Sequence, residues 1–479
     1  MNILRSLAGV WWGAHPFNLK LLYNAIVRSV LDYGTFLLQP GDVNAFKKLD
    51  SIQSKALRII TGAMKSSPVT ALQVECVDPP LHLRRQYLSD KFVFKSLQIQ
   101  NNHIITKLKT LNELIESSSF WKHKRLPCLI ISYRKYLSIQ TPTHHSHIFP
   151  LFCVNYKALI LKPDIHLDMG VSKYQPQPNT NFNFVIDQDW NDYNHIYTDA
   201  SKHPQGCVGV GVYHSQSKIV EKIKLPSETS VFTGECFGIY KAIEYILIFK
   251  IKKTLILTDS KSALQALAKF PFKSQPIYPI LLDCRKLLMR CMDQNLTVSF
   301  VWIPSHCGIK GNEIVDGIAN EAINCGDIYC FKNYSHDLVS LPKTYLNNAW
   351  SAQWYNGDKA KYYRRVQPTI PSKPWFYKYN FKRHETSSLI RMRLGHTCSP
   401  AHLATIGVLD SNKCECGADI GDLNHIILSC PLFDHSLLYS SLSSLSIPFP
   451  ISVPYLLHTV DPVIYKIIIL FLNSFKLKL

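Results

Sequence analysis

His195-Ile196-Tyr197-Thr198-Asp199-Ala200-Ser201 is the stretch on which the fold turns. Its apolar lead-in reads as a strand, and an acid on a strand heading into a core is costly unless something pairs with it. Asp199 therefore needs a partner. Three more acids follow in comparable settings: Glu235 in Phe232-Thr233-Gly234-Glu235-Cys236, Asp259 in Leu255-Ile256-Leu257-Thr258-Asp259-Ser260, and Asp316 in Gly311-Asn312-Glu313-Ile314-Val315-Asp316. Four carboxylates brought together repel one another unless they are protonated or bridged by divalent cations. Hard oxygen ligands without sulfur or imidazole suit Mg²⁺ or Mn²⁺ over zinc.

Residues 254–258 read as a parallel strand buried on both faces, and residues 260–267 as the helix after it. An acid at the carboxyl end of such a strand points into the crevice where α/β sheets hold ligands. Phe232, Cys236, Ile239, Ile243 and Ile246 recur at spacings of three and four, so Glu235 lies in a helix beside its apolar stripe. Asp316 is expected one turn inside another helix, with Ile314, Ile318, Ala319 and Ala322 packing. Two strands and two helices would then each deliver one oxygen ligand to a common point.

Over roughly residues 192–330 this order of motifs resembles the type 1 ribonuclease H domain, especially the version carried by retrotransposons lacking long terminal repeats. The residues that carry the resemblance are Tyr197-Thr198-Asp199-Ala200-Ser201, Gly234-Glu235, Thr258-Asp259-Ser260, and Ser305-His306-Cys307-Gly308-Ile309-Lys310-Gly311-Asn312-Glu313 with Asp316. The resemblance implies a mixed five-stranded sheet with flanking helices and four metal-binding acids, Asp199, Glu235, Asp259 and Asp316. It also implies a mobile histidine, His306, that assists product release, and substrate contacts from Ser201, Ser260 and Asn312. The chemistry implied is two-metal endonucleolytic hydrolysis of the RNA strand of an RNA–DNA hybrid, with the 2′-hydroxyl telling RNA from DNA. Gly234-Glu235-Cys236 departs from the family's usual Ala-Glu-Leu, and the glycine puts the helix start in question.

Any one Asp after a strand is more often a helix cap than a ligand, but four in matching order and context leave little room for coincidence. Proofreading-type exonucleases carry a second acid two residues after the first, where this chain has Ser201. Integrase-like transferases end their acid set with Glu, where this chain has Asp316; Glu313 is read as a brace. A competing class is a catalytically silent nucleic-acid-binding remnant of a retrotransposon.

The chain has 479 residues, 46% of them apolar, enough for two to four domains with sizeable cores. Fifty-three Lys/Arg against 34 Asp/Glu give a net +19, which favours a polyanionic partner. The excess is spread, with twelve basic and six acidic residues in 1–100 and sixteen and nine in 331–479. Fourteen cysteines at irregular spacing, without a leader-like start, argue for a reducing compartment. The nucleus is inferred from the lifestyle of such elements.

Residues 1–105 read as helical, with one apolar stripe on Leu19, Leu22, Tyr23, Ile26, Val30 and Leu31 and a second on Leu49, Ile52, Gln53, Ala56, Leu57 and Ile60. Trp12-Gly13-Ala14, Leu31-Asp32-Tyr33-Gly34, Leu49-Asp50-Ser51-Ile52-Gln53, residues 57–63 and Pro80-Leu81 resemble the segment after the reverse transcriptase palm of the same elements. No adjacent Asp-Asp occurs, so no polymerisation is expected, and a separate reverse transcriptase chain is a candidate partner. Pro40-Gly41 and Gly62 punctuate these helices.

Residues 106–190 read as loops and an extended linker, including residues 174–179. The ribonuclease H-like domain is assigned to 191–330. Residues 331–400 form a basic, aromatic helical region. Within it, 359–384 carry eight Lys/Arg and no acid among seven aromatics, which fits either a grip on single-stranded nucleic acid or a small core. Residues 401–479 form a zinc-knuckle-like tail. Cys414, Cys416, His425 and Cys430 can saturate a tetrahedral Zn²⁺, with Gly417 allowing the tight turn; free buried cysteines are the alternative. The block from Arg391 to Pro431 resembles the terminal zinc knuckle of those elements. Residues 467–472 are apolar but far short of the ~20 residues a membrane span needs, so no membrane partner is expected and a packed helix is.

Overall fold

The strand expected at Tyr197 lies inside a mixed sheet in the computed structural model, which describes residues 2–39, 41–97, 99–144, 150–171, 177–203, 206–273, 278–329, 332–447 and 450–479. Pro40, residues 174–176 of the expected linker and Cys330 lie outside the described residues. The chain divides into two units, one of residues 1–89, 119–131 and 343–479, the other of residues 90–118 and 132–342.

In the second unit the strands are β1 (Asp164–His166), β2 (Asn194–Lys202), β3 (Val208–His214), β4 (Ile219–Leu225), β5 (Lys253–Thr258), β6 (Thr297–Trp302) and β7 (Asp327–Ile328). They order as β1-β6-β5-β2-β3-β4-β7. The β2-β3-β4 part is antiparallel, and β2-β5-β6-β1 is parallel. The five long strands match the number that the resemblance implied, two of them, β2 and β5, at the places read from the sequence; β1 and β7, three and two residues long, extend the edges. The helices are α1 (Pro178–Asp189), α2 (Val231–Phe249), α3 (Lys261–Ala268), α4 (Pro279–Asp293) and α5 (Lys310–Cys325).

Successive strand residues face opposite sides of a sheet. Ile196, Ile256 and Phe300 therefore enter one core with Cys236, Ile239, Leu264 and Leu287 from α2, α3 and α4. Tyr197, Leu257 and Val301 enter the other with Phe182 of α1 and Val315 of α5. Because β5 is buried on both faces, its centre Leu255-Ile256-Leu257 is a continuous apolar run; β6 is buried too, with Ser299 inside it satisfied by donating to Asp164 Oδ2.

Two close approaches fix the helices. A Cβ on Gly234 of α2 would sit 2.7 Å from Val208 and 2.9 Å from Ala200, so only a residue without one lets that turn lie so near the sheet. A Cβ on Gly211 of β3 would sit 2.9 Å from the Val315 carbonyl and 3.0 Å from the Ala319 nitrogen of α5. The helix start at Val231 is not displaced by Gly234, because Ser230 caps it by accepting from the Thr233 N–H.

Several expectations are corrected. Helix α5 begins at Lys310, so Asp316 lies nearly two turns inside it, and Ile314 is 44% exposed while Ile318, Ala319 and Ala322 pack as expected. The stretch read as a linker carries helices His103–Ser117, Cys128–Leu137 and Tyr156–Ile160 as well as α1 and β1. A two-residue ladder, Thr143–His144 beside Asn333–Tyr334, ties it to the segment after α5.

In the first unit Leu57 and Ile60 of the helix Val43–Thr61 share one core with Trp350, Trp354, Leu389, Ile427 and Ile468. Residues assigned above to the first, fourth and fifth segments thus meet here. Of the second apolar stripe Gln53, Ala56, Leu57 and Ile60 are buried while Leu49 and Ile52 are half-buried, and Gly62 closes the helix in the left-handed conformation. The first stripe breaks: Leu19 and Tyr23 are buried, but Ile26 and Val30 are exposed, because Tyr23–Arg28 winds as a π-helix and the wider turn carries the later positions off the stripe.

Within 359–384, Tyr363, Trp375 and Phe376 are buried and Tyr362, Tyr379 and Phe381 pack beside them, so the core reading holds for these rings. At the centre Arg393 donates from Nε to both Glu75 oxygens at 3.1 and 3.2 Å, from Nη1 to Leu457 O and Tyr465 Oη, and from Nη2 to Gln367. Tyr363 Oη and Trp375 Nε1 also donate to Glu75. A charge pair this deep is tolerated because its donors and acceptors are satisfied. The terminal helix Pro462–Ser474 packs Phe471 on Phe433 and His435, just after Cys430. Among the described residues no helix is long and apolar enough to cross a membrane.

Candidate active site

Strand register places the first two acids side by side. Thr198 of β2 pairs with Thr258, the last residue of the parallel strand β5, so Asp199 on β2 and Asp259 just past the end of β5 each follow that pair directly. By the period of two, Asp199 shares its face with Tyr197 and so looks toward α5. Its neighbour across the antiparallel ladder is Gly211, where α5 comes closest. That approach brings in Asp316. Glu235 arrives from α2 in the opposite layer, and the backbone N–H of Ala200 lies close enough to its carboxylate and to that of Asp199 to favour their charged forms.

Oxygens of Asp199, Glu235 and Asp259 all lie within 4.8 Å of one another. Asp316 lies outside that group but near enough for its charge to act on Asp199, and His306 Nδ1 is 3.7 Å from Asp316. Burial, then the charges of Asp259 and Asp316, push the Asp199 carboxyl up to about 7. Burial pushes Glu235 well above the usual carboxylate range, with Asp199 and Asp259 adding to it. Burial also raises Asp259, against the pull of a hydrogen bond from Asn312.

Among the described ion pairs, His306 is the one basic side chain that reaches any of the four acids. Glu235 Oε2 is buried without a hydrogen-bond partner. Clustered acids lacking a compensating cation of the protein's own are what a hard divalent metal would satisfy, so the residues fit the ion the sequence implied.

The remaining expected residues fall as follows. His306 is exposed, on a loop with φ +48°, beside Asp316. Glu313 accepts from the Gly308 N–H at 3.1 Å and braces that loop. Asn312 is buried with its side chain hydrogen-bonded to Asp259, on the acid rather than on open surface. Ser260 lies at the start of α3, its N–H on Thr258 Oγ1 at 3.2 Å. Ser201 donates to Asn320 Oδ1 at 2.5 Å.

Sequence reasoning missed four supporting residues. Asn320 donates to Asp316 at 3.1 Å; its position four residues after an acid on a helix was the available signal. Trp302 Nε1 donates to the Asp259 carbonyl at 3.0 Å. Lys202 Nζ donates to the Ser227 and Thr229 carbonyls, holding the loop that leads into α2. Asp337 accepts from Thr233 Oγ1 at 2.8 Å at the amino end of α2, and burial raises its carboxyl to about 6.

A second group of ligand types lies in the other unit. Side-chain atoms of Cys414, Cys416, His425 and Cys430 also fall within 4.8 Å of one another. Cys414 Sγ is 3.7 Å from Cys430 Sγ, and Cys416 Sγ is 3.2 Å from His425 Nε2. Gly417, at φ +93°, makes the turn that returns the Ala418 carbonyl to the Cys414 N–H. Three sulfurs and one imidazole at this spacing fit a closed tetrahedral zinc site.

Residues 191–324 match the RNase H family, and the sheet order and flanking helices agree with that fold. Residues 191–324 therefore carry an RNase H-family domain, and that family membership supports a hydrolase acting on RNA–DNA hybrids and implies dependence on divalent metal. No curated protein matches the chain.

Proposed function

We propose that this chain cleaves the RNA strand of RNA–DNA hybrids endonucleolytically, by a two-cation mechanism. The observation that carries the reading is the meeting of Asp199, Glu235 and Asp259 within 4.8 Å, the two aspartates each following the Thr198–Thr258 pair of adjacent strands. Asp199, Glu235, Asp259 and Asp316 would hold the ions. Bound there, two divalent cations activate a water and stabilise the leaving oxygen of an in-line displacement.

The protein's own contribution is positional. Strand β2 presents Asp199 from a sheet that cannot slip register without exposing its buried faces. Helix α5, pressed against Gly211, fixes the distance of Asp316 from the strand. Asn312 and Trp302 hold Asp259 by its side chain and its carbonyl. His306, exposed next to Asp316, is placed to loosen the cleaved product as it leaves. The 2′-hydroxyl is read by Glu235 and the backbone beside it.

The retrotransposon origin rests on the motifs flanking the domain, and the Cys/His group supports a zinc knuckle with a role in nucleic-acid contact or local folding. A reverse transcriptase partner and nuclear residence go with that origin.

The test is cleavage of an end-labelled RNA–DNA hybrid by the full chain in Mg²⁺ and in EDTA, beside Asp259→Asn. Magnesium-dependent RNA fragments, absent for the variant and absent on duplex DNA, are expected. Binding of the hybrid with no cleavage in Mg²⁺ or Mn²⁺ would leave a nucleic-acid-coating protein and end the catalytic reading.

A further inference from the structure

We propose that Ser201 and Asn320 form a strut that holds Asp316 in its cation-binding position, and that they act on the metal rather than on the substrate. The inference rests on the cation-binding reading of the four acids and adds two positioning residues to it.

Ser201 is two residues beyond Asp199 on β2, so both side chains leave the same face of the sheet, toward α5. Asn320 is four residues beyond Asp316 on α5, so both lie on the same face of that helix. The two repeats line up. Ser201 Oγ donates to Asn320 Oδ1 at 2.5 Å, and Asn320 Nδ2 donates to Asp316 Oδ1 at 3.1 Å. The strand that carries one acid is thereby tied to the helix that carries another, one helical turn from the acids themselves.

The polarity of the strut is fixed by chemistry. A serine hydroxyl can donate to the amide oxygen, and once it does the amide must turn its NH₂ toward Asp316. An amide so oriented donates to a carboxylate, and it leaves Oδ2 of Asp316 for other partners. A strut of neutral groups also adds no charge to a cluster whose acids already repel one another. An acid in place of Asn320 would add one. Ordered partners behind a ligating carboxylate set its direction and are worth about tenfold or more in metal affinity.

The strut lies at the surface, since Asn320 is exposed and Ser201 half-exposed, so its removal leaves the core intact. That makes the proposal testable without unfolding the domain. Mn²⁺ binding to the full chain is measured by titration calorimetry, together with the Mg²⁺ dependence, KM and kcat of hybrid cleavage, for wild type, Asn320→Ala, Ser201→Ala and the double variant.

For Asn320→Ala the expected result is about tenfold weaker Mn²⁺ binding and an equal rise in the Mg²⁺ concentration needed for half-maximal cleavage, with the hybrid KM unmoved. Ser201→Ala shifts both in the same direction by less, because the amide keeps its contact but loses its orientation. The double variant matches Asn320→Ala, since links in series do not add. Asn320→Gln, which lengthens the strut, is expected to bind Mn²⁺ no better than Asn320→Ala.

A raised hybrid KM with unchanged Mn²⁺ affinity would make Ser201 and Asn320 substrate contacts and overturn the strut. Additive losses in the double variant would show two independent roles and overturn it too, as would two variants indistinguishable from wild type. If wild type binds Mn²⁺ but cleaves nothing, the functional reading fails while the calorimetry still decides the strut.

Discussion

Asp199 is held in a place that favours its neutral form, so removing its charge should stabilise the metal-free protein while abolishing its chemistry. Burial and the neighbouring acids raise its carboxyl from 3.8 to about 7. A folded-state value above the unfolded one means the native state holds the proton more tightly. The stabilising effect of that proton is complete below pH 3.8 and is lost as pH rises through about 7. Fully developed, the gap corresponds to about 4 kcal/mol of lost stability, and at pH 5 to about 1.5 kcal/mol. Asp199→Asn keeps an oxygen for the Ala200 N–H and does not titrate. The assay is urea unfolding of the full chain in EDTA, read by pulsed hydrogen exchange of peptides from β2 and β5. At pH 7.5 the variant should be the more stable by a few kcal/mol, at pH 5 by much less, and near pH 4 by about half a kcal/mol. Mg²⁺ should raise wild type toward the variant and leave the variant where it is. A variant equal to or weaker than wild type at pH 7.5 in EDTA would refute the crowding of charge from which the metal site is argued.

Three further outcomes are expected. Gly234→Ala places a methyl 2.7 Å from Val208 and 2.9 Å from Ala200, and should cost about 1–3 kcal/mol in the same unfolding assay despite the better helix propensity of alanine. Removing metal from the Cys414, Cys416, His425 and Cys430 group with a zinc chelator should lower the melting temperature of the first unit, because Ile426, Ile427 and Leu428 beside it share a core with Leu57 and Ile60. Elemental analysis should find one zinc per chain in wild type and none after Cys416→Ser. Arg393→Met strands the buried Glu75 carboxylate and should cost about 3–5 kcal/mol, read as loss of protected amides in Val43–Thr61 as well as in Arg383–Leu394.

The four acids were legible because each closes or interrupts a periodic apolar run, and their order is informative when no single one is. The strand at residues 254–258 was legible too, since a strand buried on both faces is apolar without alternation, but that same lack of alternation hid which face each residue takes. The strut was not. An asparagine on a helix is ordinary, and its meaning depends on a serine 119 positions away in sequence. Ile26 and Val30 fit a stripe of period 3.6 but lie exposed around a π-helical turn that composition does not signal. The aromatic residues of 359–384 admitted two readings because local pattern cannot say what covers a ring; their cover comes from Glu75 and the terminal helices. Likewise no period links Glu75 to Arg393.

That pairing of early and late residues has a consequence for synthesis. The helix Val43–Thr61 leaves the ribosome long before Arg383–Leu394 and Pro462–Ser474 exist, and its core needs both. At ordinary translation rates of about 5–20 residues per second, the first ninety residues wait roughly 20–75 s for their partners. Meanwhile the central RNase H unit can form from sequence already made. During that interval the nascent chain carries a finished nuclease fold beside the unfinished core of residues 1–89, which makes that stretch a natural client for a chaperone and the point at which a stalled product would aggregate.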